Sequence, residues 1–166
     1  MKLLCVICLI SFALALLNCP SCLHRYRAWY YGGEYLGNEG VRFQSEQNNC
    51  GPASLAMVYD AYGIGVSEGE IEHSVEMTPR GTTMLALNDQ AEKSGLSASG
   101  WRLTMEELRR SKFPSILFVR GDHFIVADSV REENVYLRDP AIGRLKISEK
   151  SLARIWRGET LVFRRK

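Results

Sequence analysis

The sequence predicts an α+β domain, with helices in its first half and an antiparallel sheet in its second, and three observations carry that prediction. Between residues 50 and 110 apolar residues recur at helical spacing behind capping signals; from Ser115 onward the period changes to extended, β-rich runs; and one apolar stretch, 3–17, stands apart from both. The 166 residues, 46% hydrophobic and 24% charged, fit one ordinary globular domain plus a short appendage.

The apolar run at 3–17 has Lys2 ahead of it and is closed by Asn18 and Pro20. It is shorter than the roughly 20 residues a membrane-spanning helix needs, and Ala13-Leu14-Ala15 supplies a small-residue cleavage pattern. Residues 1–23 are therefore expected to be a signal peptide or an uncleaved membrane anchor. The domain would then be exported, periplasmic or extracellular, or anchored to the membrane, which it touches only through this segment. Leu16-Leu17-Asn18-Cys19 is only faintly similar to a lipoprotein signal, because Asn18 stands where a small residue belongs.

Residues 24–40, rich in aromatic residues and glycine, read as a linker that drapes over the domain, and 41–166 as the domain itself. A short opening strand is expected at 41–44. After Cys50, Pro52 is tolerated in a first helical turn, Leu55, Val58 and Tyr62 recur at spacings of three and four, and Gly63 stops the helix. Ser67 and Glu70 have the spacing of a capping box, opening a short polar helix to about Ser74. A helix over 83–94 closed by Gly95 follows, then a short one from Thr104 through Arg110. Strands are expected at 115–119, 123–128, 134–138 and 144–147. Ser148 caps a helix carrying Leu152, Ile155 and Trp156, and 160–163 forms the last strand.

Several function classes drop out. The formal charge is +2 and the widest basic clusters are Arg109, Arg110, Lys112 and Arg164, Arg165, Lys166, so no nucleic acid is expected as partner. No internal repeat, phosphate-binding loop or dinucleotide fingerprint is spelled out. Cys5, Cys8, Cys19 and Cys22 lie in or beside the apolar segment, leaving Cys50 alone in the domain without a disulfide framework. The C-x-x-C at Cys19 and Cys22 lacks both a βαβ context for redox work and a second ligand pair for zinc. Three histidines and one domain cysteine make no metal site, and no cofactor is expected.

What remains is a thiol chemistry. A free cysteine, with a pKa of about 8.5, supplies little thiolate at neutral pH. Cys50 stands at the start of a helix, where unpaired N–H groups favour the anion, and Gly51 removes a side chain where a substrate backbone would approach. A buried cysteine acting as a small apolar residue is the plain alternative. His123 opens an apolar strand, D-H-F-I-V-A, where a lone histidine is more often a satisfied core residue. Asp139, at the end of the next strand, reverses that preference, because it can accept from the imidazole and fix its tautomer. Asp122 and Asp128 point to the opposite face of the strand from His123. Asp139-Pro140 also suits the turn between two strands. Gln44, six residues before Cys50, carries an amide that can donate to an oxyanion together with the Cys50 backbone N–H. His73 and His24 are expected to be solvated.

With these residues in view, the chain resembles the double-glycine, bacteriocin-processing cysteine peptidases, a papain-like family. The resemblance covers about 41–163 and rests on Gln44 with Cys50, on C-G-P-A-S-L-A-M, G-T-T, K-S-G-L, P-S-I-L before H-F-I-V, D-P-A-I-G-R and L-A-R-I-W-R-G. It implies a papain-like fold, helical first half packed on an antiparallel second half. It further implies that Cys50 is nucleophile, His123 general base and acid, Asp139 orienter and Gln44 oxyanion donor. Transporter-borne members cut leader peptides after Gly-Gly or Gly-Ala, so a peptide substrate and a separate peptide-export transporter are the expected partners. Asn49 stands where those members usually carry Asp. Self-cleavage at Gly32-Gly33 is disfavoured by the bulky Tyr30-Tyr31 ahead of it. Two alternatives are a phytochelatin-synthase-like γ-glutamyl transferase, to which C-G-P-A-S-L-A-M is also similar, and a non-catalytic peptide-binding module of the same fold.

Overall fold

The computed structural model describes residues 20–166. The expected targeting run, and with it Cys5, Cys8 and Cys19, lies outside the described residues. No helix among the described residues is long and apolar enough to cross a membrane.

In chain order the elements are α1 (Pro20–Tyr30), β1 (Gly33–Gly37), α2 (Cys50–Tyr62), α3 (Glu68–Ser74), α4 (Met84–Lys93), β2 (Leu96–Arg102), α5 (Met105–Arg110), β3 (Ser115–Val119), β4 (His123–Arg131), β5 (Asn134–Asp139), β6 (Gly143–Ser148), α6 (Glu149–Ile155) and β7 (Trp156–Arg165). The strands form one antiparallel sheet in the order β1-β6-β5-β4-β3-β7-β2. Side chains alternate across it. Ile116, Phe124 and Val126 join a core with α2, α3 and α4, whereas Leu117, Ile125 and Ala127 join a second core with Ala28 of α1, Leu108 of α5 and Leu152 of α6. The sheet is thus covered on both faces.

The expected caps form. Ser67 and Thr104 each accept from the backbone three residues on, and Glu70 and Glu107 reach back, completing two capping boxes. Gly63 ends α2 at a φ of 69°, a left-handed conformation that glycine adopts without a Cβ penalty. Thr83 and Ser148 cap α4 and α6. Trp156 is not the end of that last helix but the first residue of β7, which follows it without a loop.

Further expectations are corrected. Residues 41–44 form no strand; Gln44 N–H instead donates to the Pro140 carbonyl at 3.0 Å, which holds this segment against the β5–β6 turn. Residues 24–40, expected as a linker, contain most of α1 and all of β1, and β1 pairs with β6 from Gly33↔Ile147 onward. A strand not anticipated, β2, pairs along its whole length with β7. The ring of His24 is not solvated: it stacks on Tyr35 at 5.8 Å and packs against Phe43 at 5.5 Å, clasping α1 to the domain. His73 is exposed, with Nδ1 on the Gly69 carbonyl.

Candidate active site

Helix α2 delivers Cys50. Every residue from Cys50 to Tyr59 is buried, so this helix is central rather than one-sided, packed between β4 and helices α3 and α4. Ser54 Oγ–H donates to the Phe124 carbonyl at 3.2 Å, pinning the first turn of α2 to the strand that begins with His123. The N-cap, Asn49, is fully buried and caps nothing with its side chain. Its amide instead donates to Ser45 Oγ and Glu68 and accepts from the Glu46 N–H, which ties the 45–49 loop to α3. Pro52 has no N–H and the Ala53 N–H goes to the Asn49 carbonyl, so of the first turn of α2 it is the Gly51 N–H that serves the thiol.

Strands β4 and β5 deliver the other two groups. The register Val126↔Arg138 sets Asp139 diagonally across from His123 on the same sheet face. His123 Nε2–H donates to Asp139 Oδ1 at 2.9 Å, and the same oxygen accepts the Ala141 N–H at 2.7 Å. Asp139 therefore both orients the imidazole and makes the turn, and Asp128 is committed elsewhere. It takes the guanidinium of the buried Arg138, which also donates to the carbonyls of Gly40 and of Met57 in α2. Arg138 is a strut fixing β5, and so Asp139, relative to the cysteine helix. Sequence reasoning missed it; an arginine beside Asp139 in an otherwise apolar strand is the signal that could have found it.

Cys50 is 5% and His123 6% exposed, and Asp139 is fully buried. Burial alone pushes the Cys50 thiol up, but a hydrogen bond with His123, its charge, and backbone hydrogen bonds from Phe124 and Gly51 outweigh it, so the net shift is down. For His123, burial pulls down, while hydrogen bonds with Asp139 and Cys50 and their charges raise the imidazole to about 9. With Nε2 on Asp139, Nδ1 is left for the thiol. Both shifts favour a thiolate–imidazolium pair.

Gln44 makes no side-chain hydrogen bond to Cys50, His123 or Asp139. Its Nε2 donates to the Glu46 carbonyl at 2.7 Å, and its Oε1 is buried without a hydrogen-bond partner among the described residues. It lines a cleft of about 450 Å3 together with Arg27, Tyr30 and Tyr31 from the N-terminal segment, Arg120, and Ile142. Gly51 serves packing rather than a substrate backbone: a Cβ there would stand 2.6 Å from Thr82 Cγ2. Among the described residues no group of His, Cys, Asp and Glu is placed to hold a metal ion.

Comparison with known proteins agrees with this architecture. An uncharacterized protein of Methanothermobacter marburgensis is 36% identical over 131 residues, spanning 79% of this chain and 92% of its own. The colicin V secretion/processing ATP-binding protein CvaB of Escherichia coli is 33% identical over 121 residues, 73% of this chain but only 17% of that larger protein. The crystal structure of a double glycine motif protease from the AMS/PCAT transporter, in complex with the leader peptide, superposes with a TM-score of 0.74 at 31% identity, covering 76% of this chain and 91% of that one. The sequence profile of the Peptidase C39 family matches residues 38–166. A thiol drawn down by an imidazole on a helix-plus-sheet frame of this kind is that family's chemistry, and the chain is a cysteine peptidase belonging to the Peptidase C39 family.

Proposed function

We propose that the protein is an endopeptidase that cuts an extended peptide after a Gly-Gly or Gly-Ala pair, with Cys50 as nucleophile, His123 as base and acid, and Asp139 as orienter. The observation that carries this reading is the buried His123–Asp139 hydrogen bond, with the Cys50 thiol drawn down by His123 and the imidazole raised to about 9. The Cys50 thiolate attacks the scissile carbonyl carbon; the C–N bond breaks as His123 gives its proton to the leaving amine. His123 then takes a proton from water, which hydrolyses the thioester. Gln44 has two amide N–H groups and spends one on Glu46, which leaves the other for the oxyanion beside the Cys50 backbone N–H. Its backbone bond to Pro140 keeps it next to the Asp139 turn. The double glycine motif and leader peptide named for the structural relative support the small-residue substrate, and the secretion/processing role named for CvaB supports delivery by a separate peptide-export transporter.

The test is the pH dependence of iodoacetamide alkylation at Cys50, followed by peptide mapping, in wild type and His123→Ala, with cleavage of a Gly-Gly peptide measured alongside. Rapid alkylation well below pH ~8.5, lost in the variant, together with a cut after Gly-Gly, is the expected result. An ordinary thiol titration in both proteins overturns the catalytic assignment, and activation without cleavage overturns the Gly-Gly substrate.

A further inference from the structure

Helix α1 and all of β1 precede residue 38, where the family profile begins, yet Tyr26, Arg27 and Tyr30 of α1, with Tyr31 after it, wall the cleft at the active-site end of the sheet. Three features of that cleft bear on its use. Its rim is continuous with the catalytic groups: Arg120 lies three residues before His123, Ile142 three after Asp139, and Gln44 is shared with the proposed oxyanion site. No carboxylate lines it, whereas two guanidinium groups do. Its remaining wall is largely tyrosine: Tyr30 is 74% exposed, and burial pushes the phenol of Tyr31 up to about 12, so that it stays a neutral donor.

Both arginines are held, Arg27 without a carboxylate partner among the described residues and Arg120 with one that is largely solvated. Arg27 donates one N–H to the Ala141 carbonyl at 3.1 Å and has no carboxylate partner among the described residues. Arg120 lies over the Tyr31 ring, 5.1 Å from its centroid, with Asp122 of its own turn at 3.6 Å and largely in solvent. Asp139, the other carboxylate felt by Tyr31, is matched by the His123 imidazolium. A guanidinium packed on an aromatic ring with donors to spare suits a carboxylate. In the reaction, the proton goes from His123 to the leaving amine, so the chain beyond the scissile bond runs past the His123 side, where Arg120 and Ile142 stand.

We propose that α1 and Arg120 form a specificity site for the part of the substrate that follows the scissile bond, and that this part is acidic. The proposal rests on the endopeptidase reading above, and its test separates the two. Fluorescein-labelled peptides carrying Gly-Gly followed by Asp-Glu, Gly-Gly followed by Lys-Lys, and Asp-Glu placed before Gly-Gly are bound to full-length Cys50→Ala and read by anisotropy, without turnover. The first binds roughly ten-fold tighter than the second, and the preference shrinks as salt rises from about 0.05 to 0.5 M. Arg120→Gln and Arg27→Gln, each introduced in the Cys50→Ala background, reduce it. Equal affinities, no binding of any peptide, a preference unaltered by either arginine substitution, or the same preference for acid placed ahead of Gly-Gly each overturns the proposal. Cleavage by the wild-type protein is scored apart: a charge preference without a Gly-Gly cut overturns the substrate motif alone, and a cut without a charge preference overturns the specificity site alone.

Discussion

At the scale of single residues, the site depends on Asp139 more than its position in a turn suggests. Among the described residues its Oδ1 is the only carboxylate oxygen His123 contacts, and after burial it is the largest influence on the imidazole, holding it near 9. Asp139→Asn keeps the size of the group and removes the charge. The kcat/KM for a cleaved peptide should fall about 10²–10⁴-fold, and the alkaline limb of its pH profile should move to lower pH, because the imidazolium then loses its proton sooner. A pH–rate profile of the variant checks both; an unmoved alkaline limb would assign that limb to another group. The placement of Cys50, His123 and Asp139 was legible in the sequence, since each sits at an element boundary that its neighbours announce. Gln44 was legible as an amide six residues before Cys50, but its Glu46 contact was not, because loop side chains choose partners in three dimensions. The Asn49 network and the Arg138 strut escaped for the same reason: each joins segments separated by 19 to 98 residues.

At the scale of elements, the caps and the alternating runs of β3 to β6 were legible because local chemistry decides them. Strand β2 was not. Leu96-Ser97-Ala98-Ser99-Gly100 has little intrinsic preference for strand, and it is extended because β7 offers a ladder and a core that takes Leu96 and Ala98. Helix α1 hid its role differently: it turns Tyr26, Trp29 and Tyr30 outward and buries little beyond Ala28, so its pattern reads as linker. Its attachment rests on β1. Gly33 faces Ile147 so closely that an added Cβ would stand 2.3 Å from Ile147 Cγ2. Gly33→Val should destabilise by about 1–3 kcal/mol and free the segment around α1 and β1, seen as a new limited-proteolysis site ahead of residue 38. Resistance equal to wild type would mean that β6 can shift to accept the side chain.

Across the whole molecule, the reactive pair sets how stability varies with pH. His123 is raised to about 9, so its contribution is whole below the ordinary value of about 6.5 and is lost as pH rises through about 9. Cys50 is lowered, so its contribution is present above the ordinary thiol value of about 8.5 and is lost as pH falls through its depressed one. Above both the depressed Cys50 value and the ordinary imidazole value of about 6.5, and below the ordinary thiol value of about 8.5, the folded and unfolded chains hold one proton on the pair alike, and stability should be level. It should decline above that as His123 titrates. Cys50→Ala removes one half of the compensation, and its decline should begin already near 6.5. Urea midpoints across this range measure the difference; coincident profiles would show that the thiol and imidazole do not share a proton.

The exposure of Cys50, 5%, has a consequence for what can be a substrate at all. A nucleophile so recessed acts as a sieve: a folded protein presents no strand thin and loose enough to thread to it, however well its residues match. Selection between folded and unfolded forms of a polypeptide is therefore made at the mouth of the site, before any side chain is read.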